Sequence, residues 1–254
     1  HYIYCLNRKN GTLIWKFKTG FEVDCSSAVI DGRVSFGGED GFFYCLNFDD
    51  GSLVYKTERL GSMEGSFAAV DGRIYIGTEH GELYCLEMRD GSTVWKARIG
   101  ADSDSTPAVV NGLVYTAAEN GAVYCFRQSN GELVWKYQAL GGTTKDRSGF
   151  WASPVVVNDR VYIGSSNAHM YCLTAGGGEV VWRRRVRAPI WGTAPLVDGR
   201  LVFGDKAGWL YSISADDGSL ISELKIGDNI NSTPAVLGGR IFVGAFNGKL
   251  YCVR

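Results

Sequence analysis

The chain has 254 residues, 45% of them hydrophobic, and 26 basic against 27 acidic side chains give a formal net charge of −1. That is enough apolar material for a substantial core, and near-neutrality argues against a general nucleic-acid or membrane-surface binder. No window reaches the uncharged apolar length of a membrane span, and no basic-then-apolar leader precedes the body of the chain. The first residue, His1, already falls inside a repeat, so the expectation is one domain over 1–254 that is part of a longer polypeptide.

Seven short tags order the chain. Ile3-Tyr4-Cys5-Leu6 comes first, followed by Phe43-Tyr44-Cys45-Leu46, Leu83-Tyr84-Cys85-Leu86 and Val123-Tyr124-Cys125-Phe126. Met170-Tyr171-Cys172-Leu173, Leu210-Tyr211-Ser212-Ile213 and Leu250-Tyr251-Cys252-Val253 complete the set. Their tyrosines are 40, 40, 40, 47, 40 and 40 residues apart, a period typical of a propeller or solenoid.

Each period holds four short β-type runs, here named A to D. In the third copy they are Ser105 to Val110, Leu113 to Ala117, Val123 to Phe126 and Leu133 to Tyr137, separated by Asn111-Gly112, Glu119-Asn120-Gly121 and Ser129-Asn130-Gly131. Aromatic and β-branched runs punctuated by Gly, Asn and Asp predict antiparallel meanders with tight hairpins, and nothing shows sustained helical periodicity. The D run ends in an aromatic after a turn glycine: Gly11 with Trp15, Gly51 with Tyr55, Gly91 with Trp95, Gly131 with Trp135 and Gly178 with Trp182. A flat side chain repeated once per unit is expected to fill the gap between adjacent blades. Ser222 stands in that place in the next unit, which should be the loosest.

These residues resemble the pyrroloquinoline-quinone-like, quinoprotein-type β-propeller repeats. Units of that family read leucine-Tyr-Ala-leucine, then Asp-x-x-x-Gly-x-x-x-Trp, then Ser-Ser-Pro-Ala-Val-x-x-Gly; Thr106-Pro107, Ser153-Pro154 and Thr233-Pro234 fit the last element. The resemblance implies an all-β propeller of four-stranded antiparallel blades. It also implies a choice of roles: quinone-dependent dehydrogenase, lipoprotein scaffold of outer-membrane barrel assembly, or sensor domain of a kinase or other enzyme. In chain order the runs are C-D, five full A-B-C-D sets and a final A-B-C. Six blades are therefore expected, the N-terminal run Thr12 to Lys18 completing the last, with one C run surplus at 2–6 or at 249–253. Seven or eight blades in a longer parent is the alternative.

Six of the seven cysteines share one C-run slot. Neighbouring blades place such positions about 10 Å apart, too far for disulfides, so buried packing thiols are expected. Cys25 lies outside the pattern, at the start of an A run. Unpaired thiols in odd number fit a reducing compartment, so the cytoplasm is the expected location, with periplasm or cell exterior as alternatives. No zinc-type ligand spacing occurs, and His1, His80 and His169 do not cluster.

The A-B turns repeat closely: Asp31-Gly32, Asp71-Gly72, Asn111-Gly112, Asn158-Asp159, Asp198-Gly199 and Gly238-Gly239. They are hairpin chemistry and need no function. The opposite loops diverge. One equivalent position at the end of the D-A loops carries Asp24, Glu64, Asp104, Trp151, Trp191 and Asn231, and one in the B-C loops carries Glu39, Glu79, Glu119, Ser166, Lys206 and Phe246. These residues are expected to ring a channel mouth with carboxylates on one half and aromatics on the other. The extra length of the 47-residue period, about Ala139 to Trp151 with Arg147 and Phe150, falls on the same face, where binding residues are commonly placed.

Acids facing two indoles suit a cationic group. The expected partners are a protein segment offering Lys or Arg, or a cationic small molecule such as a polyamine or quaternary amine. No cofactor is expected. Pyrroloquinoline quinone enters only through the resemblance, without the adjacent Cys-Cys pair such enzymes carry, and calcium needs carboxylates closer together than successive blades should bring them. No nucleophile-base motif or phosphate loop is present, so the expected function is a non-catalytic binding or scaffold propeller, any activity residing in an attached domain. Arg183-Arg184-Arg185 and Arg187 read as charge guarding an edge strand, or as a patch for an anionic partner.

Overall fold

The computed structural model describes residues 1–139 and 149–254. Arg147 and most of the loop insertion lie outside the described residues. Among the described residues every regular element is a strand, and no helix is long and apolar enough to cross a membrane. Two compact units are formed, one from residues 1–107 and 129–131, the other from 108–128 and 132–254.

The first unit contains three sheets. Strands β1 (Tyr2–Leu6) and β2 (Leu13–Lys18) pair as a two-stranded ribbon. A four-stranded sheet follows from β3 (Ala28–Ile30), β4 (Arg33–Gly37), β5 (Phe43–Asn47) and β6 (Leu53–Lys56). Another is built from β7 (Ala68–Val70), β8 (Arg73–Gly77), β9 (Glu82–Glu87) and β10 (Thr93–Arg98).

In the second unit, β11 (Ala108–Val110), β12 (Leu113–Ala118), β13 (Ala122–Arg127) and β14 (Leu133–Gln138) form one sheet. The next is β15 (Val155–Val157), β16 (Arg160–Ser165), β17 (His169–Thr174) and β18 (Val180–Arg185). After it come β19 (Leu196–Val197), β20 (Arg200–Gly204), β21 (Trp209–Ser214) and β22 (Leu220–Lys225). A three-stranded sheet of β23 (Ala235–Leu237), β24 (Arg240–Ala245) and β25 (Lys249–Val253) ends the chain.

All pairings are between sequential antiparallel neighbours, as the meander pattern predicts. One detail of the strand count is corrected. Residues 13–18 do not complete the last blade: they pair with β1, Cys5 opposite Trp15, and the last sheet keeps three strands. The reason is local. Asn7 N–H donates to the Thr12 carbonyl and Gly11 N–H to the Asn7 carbonyl, closing a hairpin whose loop entropy is small. Among the described residues seven sheets result, the first and last short of four strands.

The burial of each run follows its place in the sheet. Second and third strands such as β12 and β13 are buried on both faces, which is why they read as nearly continuous apolar runs. Fourth strands alternate, with Trp inward and Lys or Arg outward, as in Leu-Val-Trp-Lys-Tyr-Gln of β14. Charge on this edge discourages pairing with other chains. In and just after β18 the charge also has partners: Arg184 donates to the Gly218 carbonyl at 2.9 Å, while Arg187, two residues beyond the strand, pairs with Glu223 and lies 4.1 Å over the Trp209 ring. The A-B turns adopt positive φ at Asp31, Asp71, Asn111, Asn158 and Asp198, the hairpin geometry expected of them.

The repeated aromatic is the clasp between successive sheets within each unit. Trp135, 8% exposed, donates its indole N–H to the Ala175 carbonyl at 2.8 Å, and Trp182 does the same to Ala215 at 3.0 Å. In the first unit Trp15 donates to Phe48 and Tyr55 to Met88. The ring rests on the turn glycine of the following sheet. A Cβ on Gly178 would come within 2.6 Å of the Trp135 ring, so only glycine fits, and its φ of +73° adds a second reason. A β-bulge after the tag cysteine, as between Cys172 and Leu173, sets the aromatic opposite that cysteine.

The tag tyrosine has its own task. Its hydroxyl is tied to the B-C loop just before it: Tyr44 donates to Asp40 at 2.7 Å, Tyr211 to Asp205 at 2.9 Å, and Tyr171 accepts from Asn167 at 2.7 Å. Asp205 is fully buried and also accepts the N–H groups of Ala207 and Trp209. These bonds fix loops that would otherwise be free to vary.

Candidate functional site

Both sets of divergent loop residues are divided between the two units. Asp24, Glu39, Glu64, Glu79 and Asp104 belong to the first, and Glu119, Trp151, Ser166, Trp191, Lys206, Asn231 and Phe246 to the second. Within each unit the equivalence read from the sequence holds. Two residues after the D-A position, Ser26 N–H donates to the Ser66 hydroxyl at 2.9 Å, Ser153 N–H to Thr193 at 3.2 Å, and Thr193 N–H to Thr233 at 3.1 Å. Each step spans 40 residues, so a hydroxyl ladder pins successive loops in register.

In the first unit the acids are brought together and repel one another. Glu79, set against Glu64, pushes the Glu64 carboxyl up to about 7, reinforced by burial and by the charges of Asp104 and Glu39. Asp104 rises to about 6, chiefly through burial and then through Asp102 and Glu79. Glu39 and Asp102 are raised as well, burial again coming first, with Asp24, Glu22 and Glu79 acting on Glu39 and Glu79 acting on Asp102. The backbone explains this crowding. A Cβ on Gly65 would lie 2.7 Å from the Asp104 carbonyl oxygen, so its absence lets neighbouring loops approach closely. Glu79 is held by its N–H on the Ser62 carbonyl, and Glu39 by its own on Glu22.

In the second unit Trp151 and Trp191 are stacked, ring centroids 4.1 Å apart and 15° from parallel. Trp191 donates its indole N–H to the Ser166 hydroxyl at 3.2 Å, and Lys206 Nζ lies 3.1 Å from the Trp191 ring centroid. With Trp151 on one face and Lys206 on the other, Trp191 has no face left for a ligand. The expectation that both indoles hold an external cation is corrected accordingly: the chain supplies a cation itself, and only the outer face of Trp151, 37% exposed, remains open. Gly192 lies against the backbone of Asn231 and Ser232, and Gly149 against that of Glu119, so both join this loop set. Phe246 is 68% exposed, and its backbone N–H donates to the Asn229 carbonyl. Phe150 is fully buried against Tyr171 and belongs to the core.

The oxygens Oδ1 of Asn229 and Asn231 are buried without a hydrogen-bond partner. The sequence marked Asn231 by position only. Lys206 on Trp191 and the hydroxyl ladder were not read from it, although the Ser or Thr before proline was visible as a motif.

The cysteines are free thiols, buried at Cys25, Cys45, Cys85, Cys125 and Cys172, partly buried at Cys5 and exposed at Cys252. Burial pushes Cys125 up to about 12 and Cys172 to about 11. Cys25 is raised to about 11 by burial, and its sulfur donates to the Gly37 carbonyl and accepts from the Gly37 N–H, both at 3.1 Å. It stands in for a backbone strand partner and is no nucleophile at neutral pH. Among the described residues no group of three or more His, Cys, Asp or Glu side chains is placed to hold a metal ion.

A family profile described as the β-propeller of the β-alanine-activating enzyme matches residues 1–254. Comparison with curated proteins gives no significant match. Similar solved structures include BamB from Moraxella catarrhalis, 18% identical over 91% of this chain and 72% of that one, with a TM-score of 0.79. The computationally designed Ika8 protein is 13% identical over 95% of this chain and 74% of its own, at 0.82. Quinohemoprotein alcohol dehydrogenase from Comamonas testosteroni is 13% identical over 83% of this chain at 0.68, and this chain spans 44% of its length. At these identities the likeness is one of fold. It bears out the all-β propeller and the resemblance to quinoprotein-type repeats.

Proposed function

The chain belongs to the β-propeller family of the β-alanine-activating enzyme, and we propose that it is a non-catalytic recognition module whose acidic loops take a cationic group. The partner is a Lys- or Arg-bearing protein segment or a small amine. Any activating chemistry resides elsewhere in a longer polypeptide. The observation that carries this reading is the Glu64–Glu79 pair. Glu79, burial, Asp104 and Glu39 together raise the Glu64 carboxyl, and no Lys or Arg is among the groups that act on it. A bound ammonium or guanidinium would take the proton's place, turning mutual repulsion into attraction.

Titration calorimetry with spermidine, choline and an arginine-rich peptide tests it, run at pH 6.5 in buffers of different ionisation enthalpy. Binding should release protons and weaken at least tenfold in the Glu64→Gln/Glu79→Gln double variant. Unchanged affinity in that variant, or no binding by any of the three, defeats the proposal.

A further inference from the structure

One row of side chains in the first unit lacks a ring that the three following sheets carry. Across β8, β9 and β10 the residues directly opposite one another are Tyr75, Cys85 and Trp95. The same row reads Tyr115, Cys125, Trp135 in β12 to β14 and Tyr162, Cys172, Trp182 in β16 to β18. In β4, β5 and β6 it reads Ser35, Cys45, Tyr55. The clasp aromatic is kept there as tyrosine, while the phenol of the second strand is gone.

The second unit shows what that phenol does. Tyr115 donates its hydroxyl to the Ala175 carbonyl at 3.3 Å, and Trp135 donates its indole N–H to the same oxygen at 2.8 Å, the two ring centroids lying 6.0 Å apart. One carbonyl takes both donors, as its two lone pairs allow. Met88 holds the place of Ala175, each four residues after its tag tyrosine, Tyr84 or Tyr171. The Met88 carbonyl accepts the Tyr55 hydroxyl at 2.9 Å. Ser35 supplies neither a ring nor a phenol hydroxyl to it.

A cavity of about 450 Å³ lies at this place, within the ~300–1,000 Å³ typical of small-molecule sites. Buried Ser35, Ile30 and Met88 line it, and both sheets that bound it have all four strands, so it is not the open side of an incomplete blade. Arg33 reaches from one sheet to the other and donates to the Arg89 carbonyl at 3.1 Å. With Asp31 and Glu87 beside these two arginines, the charges around the cavity balance, which suits an uncharged ligand.

We propose that this cavity is a binding site for a small neutral monocyclic phenol. Its ring would lie where the Tyr115 ring lies in its own sheet, and its hydroxyl would donate to the Met88 carbonyl beside that of Tyr55. Cavities left where a large apolar side chain is missing do take up small aromatic molecules, and the Tyr115 row displays the complementary chemistry. The lining residues sit at the A-B and C-D turns, at the opposite strand ends from Glu39 and Glu79, so the site does not depend on the function proposed for the acidic loops.

The test is calorimetry and thermal unfolding of the 254-residue chain with phenol and with anisole, its methyl ether. Phenol should bind saturably and raise the melting temperature, and anisole, lacking the donor, should bind at least fivefold more weakly. Ser35→Tyr should fill the space from within, abolishing phenol binding and raising the melting temperature without ligand. Ser35→Phe should also abolish binding while stabilising the chain less, since it brings the ring without the hydroxyl. No saturable binding of phenol, full binding to either variant, or a Ser35→Tyr chain that melts below the native one overturns the proposal. Equal binding of anisole and phenol overturns the role given to the Met88 carbonyl.

Discussion

Two glycines of the second unit share a backbone conformation and differ only in what faces them, which isolates the energy of the inter-sheet clasp. Gly178 has φ +73° and a Cβ there would lie 2.6 Å from the Trp135 ring; Gly199 has φ +72° with nothing within 4 Å. Alanine at either position carries the left-handed penalty of roughly 1–2 kcal/mol, partly offset by about 0.4–1 kcal/mol from a less flexible unfolded chain. At Gly178 the indole must also retreat by about 1 Å to reach ordinary contact. That strains a core position, which costs roughly 1–3 kcal/mol, and breaks the 2.8 Å bond from Trp135 to the Ala175 carbonyl, a further ~1 kcal/mol.

Gly178→Ala should therefore be less stable than Gly199→Ala by about 2–4 kcal/mol, which at 2–4 °C per kcal/mol is a gap of roughly 5–15 °C in melting temperature. Thermal and urea unfolding followed by far-ultraviolet circular dichroism measure it. In a Trp135→Leu background the two variants should converge, because the obstructing ring is gone. Equal destabilisation by both single substitutions would refute the clasp as an energetic device and leave it a mere contact.

Two other outcomes follow from burial and charge. Asp104 has a native pKa of about 6, above its ordinary value of roughly 3.9, so the folded chain retains a proton that the unfolded chain has lost across that window. Stability should fall as pH rises from about 4 to 6, and Asp104→Asn should remove the fall, gaining ~1 kcal/mol at pH 7.5 once solvent screening of a partly exposed carboxyl is allowed for. A denaturant midpoint measured at pH 4, 6 and 7.5 that is no higher for the variant at pH 7.5 counts against the crowding of these acids. Thiol labelling at pH 8, read by peptide mass spectrometry, should modify Cys252 at least a hundredfold faster than Cys125 or Cys172, whose protonated forms burial favours. Comparable rates would mean that the C-strand slot is open to solvent.

Much of the fold was legible because the repeat exposes its own grammar. The tyrosine tags mark third strands, the Asp-Gly and Asn-Gly pairs mark hairpins with positive φ, and the turn glycine with its aromatic marks the clasp, each a local signal repeated often enough to align. What stayed hidden depends on register or on distant partners. Residues 13–18 went to β1 rather than to the last sheet because a six-residue hairpin loop closes more readily than a chain-length one. Lys206 was placed correctly in its loop, yet its position on Trp191 depends on a side-chain direction that spacing alone does not supply.

Register also separates a visible oddity from a meaningful one. Ser222 stands out in sequence as a missing tryptophan, and taken alone it predicts only a loosened blade. Val202 lies 20 residues away and looks like any strand valine. Only the pairing of Val202 with Ser212, and of Ser212 with Ser222, shows that both aromatic residues of one row have been removed together. A single large-to-small change in a core leaves a defect that costs stability. A matched pair of small residues deepens that loss, because the row of Val202, Ser212 and Ser222 lacks both rings whose contact, as in Tyr162 and Trp182, packs the preceding sheet.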